Sequence, residues 1–195
     1  MKNTKRAWDV LLIGGSSGSG KTTIAYQLAQ YYHINVVKVD AISEALKAVT
    51  TEKSLPILHY WNTGVNWMDV GVAANVTWLF NVSVELMPAI KAVVDMHLED
   101  SEPVIIEGDF IHPKLCASIN DAKAKSIFIQ EPDVDQLINN YLDRENLEQQ
   151  YRAEISRDHG NQLAEYCRKY NIPIFEARPW DTLLERIISC TGYPT

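Results

Sequence analysis

Apolar residues follow two periods along this chain. Short, nearly continuous apolar runs alternate with stretches in which apolar residues return every three or four positions. The first pattern suits strands buried on both faces, and the second suits helices that lay one stripe on a sheet. The runs predict strands at Trp8–Gly14, Asn35–Val39, Pro103–Glu107, Ser126–Gln130 and Ile172–Glu176. Pro173 near the start of the fifth suits an edge position. Helical spacing predicts a helix from Gly20 to Tyr32, with Ile24, Ala25, Leu28, Ala29 and Tyr32 on one face. Further helices are predicted over Ala41–Thr50, Leu86–His97 and Val134–Leu142, with Pro88 in a first turn, where its missing N–H costs little. This alternation predicts an α/β domain with a parallel sheet. The pattern shows no repeat or linker, so residues 1–195 read as one domain.

Residues 51–100 exceed what a direct crossover between the second and third strands needs, and read as a helical substrate-binding insertion. Within it, Leu55–Phe80 carries His59, Tyr60, Trp61, Trp67 and Trp78. Such aromatics serve a pocket or the core of a helical subdomain.

Composition narrows the function. The 195 residues are 46% hydrophobic and 22% charged, ordinary for a globular protein. A formal net charge of −7 argues against nucleic acid as a partner. No membrane span or signal h-region is expected, because the apolar runs are short and Asp9 soon follows the basic stretch Met1–Arg6. Cys116, Cys167 and Cys190 are far apart and form no C-x-x-C, which reads as buried free thiols in a reducing compartment. A cytoplasmic monomer or homodimer is the expectation.

The chemistry starts at Gly15-Ser16-Ser17-Gly18-Ser19-Gly20-Lys21-Thr22, which satisfies G-x-x-x-x-G-K-[ST] between a predicted strand and helix. In such a loop the backbone N–H groups and the helix N-terminus cradle phosphates, the lysine meets the β- and γ-phosphates, and the threonine hydroxyl can ligate Mg²⁺. No N-K-x-D motif is present to read a guanine, so the nucleotide expected is ATP.

Ligands of open α/β sheets sit beyond the carboxyl ends of the strands. Asp40, Glu107 and Asp109 fall there. Asp40 is the first candidate to take or orient an acceptor hydroxyl proton, and Glu107 the candidate acid for Mg²⁺; either could instead cap a helix or turn. Positive charge for phosphoryl transfer is sought at residues 143–160, a possible lid. On one helix, Arg144 and Arg152 would lie about 80° apart, while interleaved acids allow a salt-bridged face instead. Arg178 could stack on an adenine ring, with Trp180 either beside it or anchoring the last helix. His112 is a weaker candidate for reaching substrate.

With these residues placed, the chain resembles P-loop small-molecule kinases of the nucleoside-monophosphate-kinase-like group, and most resembles 2-phosphoglycerate kinase-like proteins. The resemblance rests on Ile13–Thr23, Val39-Asp40, Val104–Gly108 leading to His112-Pro113, and Asn171-Ile172-Pro173. It implies a three-layer P-loop NTPase fold with sheet order 2-3-1-4-5, Mg-ATP as co-substrate, and Thr23 near the α-phosphate. It implies phosphotransfer to a small-molecule acceptor such as 2-phosphoglycerate. Ile105–Gly108 also resembles uridine and nicotinamide riboside kinases. A nucleoside kinase, a toxin-like sugar-nucleotide kinase and a regulatory P-loop NTPase are the alternatives.

Overall fold

A computed structural model describes residues 6–192. The basic stretch noted at the N-terminus therefore lies, for residues 1–5, outside the described residues. The strands are β1 (Val10–Gly15), β2 (Asn35–Lys38), β3 (Val104–Gly108), β4 (Ala124–Gln130) and β5 (Ile174–Glu176). They form one parallel sheet in the order β2-β3-β1-β4-β5. The helices are α1 (Lys21–Tyr32), α2 (Val39–Val49), α3 (Pro56–His59), α4 (Val72–Glu99), α5 (Pro113–Ser118), α6 (Val134–Glu145), α7 (Gln150–Tyr170) and α8 (Trp180–Thr191).

Alternation along the strands explains the layers. In β1, Val10 and Leu12 join Val104, Ile106 and Phe128 on one face, where α4, α5 and α7 pack through Leu86, Ile90, Leu115 and Leu163. Leu11 and Ile13 join Ile105, Ile127 and Ile129 on the other face, under α1 and α8 through Ile24, Leu28, Leu183 and Ile187. Side chains at successive positions point to opposite faces, so a strand covered on both sides must be apolar throughout, and β1 is buried at every residue. The edge strands β2 and β5 are only partly covered.

The helices depart from the sequence reading in instructive ways. Val39 starts α2 instead of ending β2, which places Asp40 in that helix's first turn. Pro88 lies inside α4; tertiary packing of the Val82–Val94 stripe carries the helix past the missing N–H. By length and apolar composition, α4 is the one described helix that meets the requirement for a membrane span, against the expectation of none. In this fold its apolar stripe is spent on the sheet. Residues 51–100 hold α3, two 3₁₀ turns and α4, and the second half of α4 belongs to the main core. Cys116 and Cys167 are buried, whereas Cys190 is exposed.

This packing makes α4 a structural element. Leu86→Ala removes a fully buried side chain, and unfolding in denaturant should show a loss of about 2–5 kcal/mol. A loss below about 1 kcal/mol would show that α4 is not part of the cooperative core.

Candidate active site

The loop between β1 and α1 is shaped by its glycines. Gly18 and Gly20 adopt φ of 78° and 88°, in the left-handed region. A Cβ on Gly20 would also strike the Trp180 ring of α8, about as close as 2.5 Å. The loop is fastened from the other side by Asn140 of α6, whose Nδ2 donates to the Gly18 carbonyl at 2.8 Å. Ser16 and Ser19 are buried, and their hydroxyls have no hydrogen-bond partner. Orphaned polar atoms around a positive-φ loop at a helix N-terminus fit an incoming phosphate chain.

Lys21 sits at the centre. Its Nζ donates to the Ser16 carbonyl at 3.2 Å and pairs with Asp109 just beyond β3. Thr22 Oγ1 donates to both Glu107 carboxylate oxygens at 3.1 Å. Burial pushes the Glu107 carboxyl pKa up, opposed by Lys21 and the Thr22 hydroxyl and reinforced by Asp109 and Asp40. Asp40 is pushed up too, by desolvation of its carboxyl against the cleft wall first and by Asp109 next, although the residue as a whole is exposed. No cluster of three or more metal-ligating side chains occurs among the described residues. Thr22 and Glu107 are nonetheless hard oxygen donors, and Mg²⁺ is typically held by one or two protein oxygens plus substrate phosphates and water. The donor set therefore fits that ion.

Two clefts meet at this loop. One, of about 680 Å³, runs from Gly18–Thr23 past Lys38 and Asp40 to Asn140, Arg144, Arg178 and Trp180. The other, of about 370 Å³, lies beyond Ser17 and is lined by Trp61, Trp67, Trp78, Asp109, Arg152 and His159 among others. The first takes Gly18–Thr23 of the P-loop and Arg178, which is paired there with Glu131 at 3.3 Å. Asp40 falls in the first cleft and Asp109 in the second.

The basic segment is rearranged relative to the reading. Arg144 ends α6 and Arg152 opens α7, so they do not share a helix. A turn at residues 146–149 brings both to Glu145, Arg152 at 3.0 Å. Arg152 also donates to Ser17 Oγ at 3.2 Å and lies over the Tyr141 ring at 4.5 Å, whereas Arg157 pairs with Asp158 at 2.8 Å and lines neither cleft. His112 lines neither cleft and caps α5, its Nδ1 accepting from Lys114 N at 2.9 Å. Three contributors were missed: Asn140, Asn75 and His159. His159 follows Arg152 and Ser156 at helical spacing on α7, a polar stripe that was legible had α7 been predicted as one helix.

Residues 3–60 match the family model "Novel STAND NTPase 3". A 2-phosphoglycerate kinase of Methanocaldococcus jannaschii is 31% identical over 110 residues, covering 54% of this chain and 35% of that protein. One from Methanococcus maripaludis is 29% identical over 129 residues, covering 62% and 41%. The chain thus spans well under half the length of these relatives. A crystal structure of shikimate kinase from Acinetobacter baumannii in complex with shikimate aligns with a TM-score of 0.55 at 15% identity, over 95% of this chain and 93% of that one. The fold is that of the P-loop small-molecule kinases. The sheet order that the resemblance implied is therefore present, with the P-loop at the carboxyl end of its central strand.

His159 supplies a test of how the site is packed. It is 1% exposed, and burial pushes its pKa down from 6.5 to about 4, with Asp109 opposing and Lys21 reinforcing. Between those values the unfolded chain binds a proton that the folded chain does not, so stability falls as pH drops from about 6.5 to about 4. His112, also pushed down by burial, acts in the same direction. In His159→Gln, the acid-side loss measured by denaturant unfolding should be visibly flatter than in the parent. Identical pH profiles would show that His159 is charged or hydrated in the folded state.

Proposed function

We propose that this chain is a phosphotransferase that moves the γ-phosphate of Mg-ATP to a hydroxyl of a small molecule. The supporting observation is the meeting of two clefts at Ser17–Lys21. A polar cleft carries the phosphate cradle, and a second, separately lined cleft opens beyond it. A kinase needs two substrates in line across one transfer point, while a simple nucleotide hydrolase needs only water there.

The roles follow from position. The loop amides, Lys21 and the Ser16 and Ser19 hydroxyls hold the phosphates, with Thr23 beside the α-phosphate. Thr22 and Glu107 would hold Mg²⁺, which would supply neutralisation of the phosphate charge there. Arg152, within reach of Ser17, and Arg144 in the nucleotide cleft supply positive charge to the transferring group. Arg178 and Trp180 frame the base. Asp109 lines the acceptor cleft and takes the hydroxyl proton once phosphates draw Lys21 away from it, while Asp40 stands on the nucleotide side and orients groups around the metal.

The relatives' name makes 2-phosphoglycerate the first acceptor to assay. A regulatory NTPase is the second reading, favoured by the family model that matches the P-loop region. The cytoplasm is the setting in which ATP and such acceptors are available to a protein of this kind.

Purified protein with Mg-ATP should release ADP in an acceptor-dependent way, and Lys21→Ala should abolish that release. Asp109→Asn should lower turnover by about 10²-fold or more with ATP affinity retained, the range for loss of a general base. Asp40→Asn should cost less. ADP release that ignores every acceptor, coupled instead to a binding partner, would favour the regulatory reading. A larger effect at Asp40 than at Asp109 would return the base to Asp40.

A further inference from the structure

The walls of the acceptor cleft are mostly aromatic. Trp61 and Trp78 pack with ring centres 5.1 Å apart, and Trp67 leans on Tyr151 of α7 at 5.6 Å. The indole N–H of Trp78 is already donated to the Ile57 carbonyl at 3.1 Å, and Leu79 and Ile155 add further carbon to the lining. Asn75 ties this wall together, its Nδ2 donating to the Trp67 carbonyl at 2.7 Å and to Tyr151 OH at 3.3 Å. The cleft's volume of about 370 Å³ falls within the ~300–1,000 Å³ of pockets that enclose a small organic ligand.

Its charge is close to balanced before any ligand enters. The lining holds one cation, Arg152, and one anion, Asp109. Arg152 is paired with Glu145, and Asp109 with Lys21. A phosphorylated three-carbon acid would bring a carboxylate and a phosphate against Asp109, with one committed guanidinium to answer both. Removing such charges from water without partners is costly. His159 adds none, because burial keeps it neutral above about pH 4. Its Nε2 is buried and unpaired, which suits a floor that meets an uncharged hydroxyl or amide. Flat rings, by contrast, gain from stacking on indoles whatever their substituents.

We propose that this cleft takes an uncharged, ring-bearing hydroxyl compound of the nucleoside class as the phosphate acceptor, its ring packed among Trp61, Trp67 and Trp78. This rests on the phosphotransfer reading above. In the step, the acceptor hydroxyl oxygen bonds to the γ-phosphorus, and the bond from that phosphorus to the β–γ bridging oxygen breaks. ADP leaves with the electron pair, and the hydroxyl proton passes to Asp109.

The experiment compares uridine, adenosine and 2-phosphoglycerate as acceptors for the full chain with Mg-ATP, following ADP release. It adds titration of intrinsic tryptophan fluorescence with each compound. At least one nucleoside should give kcat/KM about tenfold or more above that of 2-phosphoglycerate and should quench the fluorescence. Trp67→Ala should raise the KM for that nucleoside about tenfold, as loss of a stacking partner requires, with kcat and ATP affinity little changed. Trp67→Phe, which keeps a ring and guards against misfolding, should restore most of the affinity. ADP release with 2-phosphoglycerate but with neither nucleoside overturns this proposal and leaves phosphotransfer standing. Absence of acceptor-dependent release with all three, from protein that binds Mg-ATP, overturns it together with the kinase reading for these acceptors.

Discussion

A buried ammonium among carboxylates is what the working end of this molecule is built around. Lys21 is 7% exposed and reaches both the Ser16 carbonyl and Asp109, with Glu107 and Asp40 close enough to feel its charge. A desolvated cation must be paired, and desolvated carboxylates must be neutralised, so these groups stabilise one another where neither sign would be tolerated alone. Asp109 and the Ser16 carbonyl share one ammonium, so an anion that drew Lys21 away would leave Asp109 without its partner.

That cluster depends in turn on the sheet. Ser16, Glu107 and Asp109 stand at the ends of β1 and β3, which lie side by side in register from Val10 and Val104 to Gly14 and Gly108, while Lys21 opens α1 and Asp40 lies in the first turn of α2. Burying both faces of β1 leaves no freedom to shift it, because a slip of one residue would exchange the two cores. The chemistry at the strand ends is therefore held by packing many residues away. Helices α6 and α7 complete the frame, with Asn140 on the Gly18 carbonyl and Arg152 on Ser17. Tyr141 and Ser156 are joined at 2.7 Å between those two helices, so the basic groups move with the body that holds the loop.

The two clefts differ in how they are built. The one at the P-loop uses backbone, glycine conformation and a few charged groups near the sheet ends. The aromatic one is assembled from the 3₁₀ turns at Tyr60–Thr63 and Trp67–Asp69, the first turns of α4 and one face of α7. Its aromatics touch one another as well as lining the cleft, so core and pocket are not separate roles for them.

The sequence by itself determined the strands, the α/β class and the phosphate loop. Continuous apolar runs admit few other placements, and Gly15–Thr22 encodes its conformation locally through residues that need positive φ. The resemblance carried by those motifs supplied the sheet order. The sequence missed most of α7, because that helix is mildly amphipathic and interleaved with charge, and it misread Pro88 because tertiary packing outweighs a local preference. Only the tertiary structure decided that Arg144 and Arg152 stand on different helices, that His112 caps α5, and that Asp109 rather than Asp40 faces the aromatic cleft. Those are distances between segments far apart in the chain, and no local pattern of residues contains them.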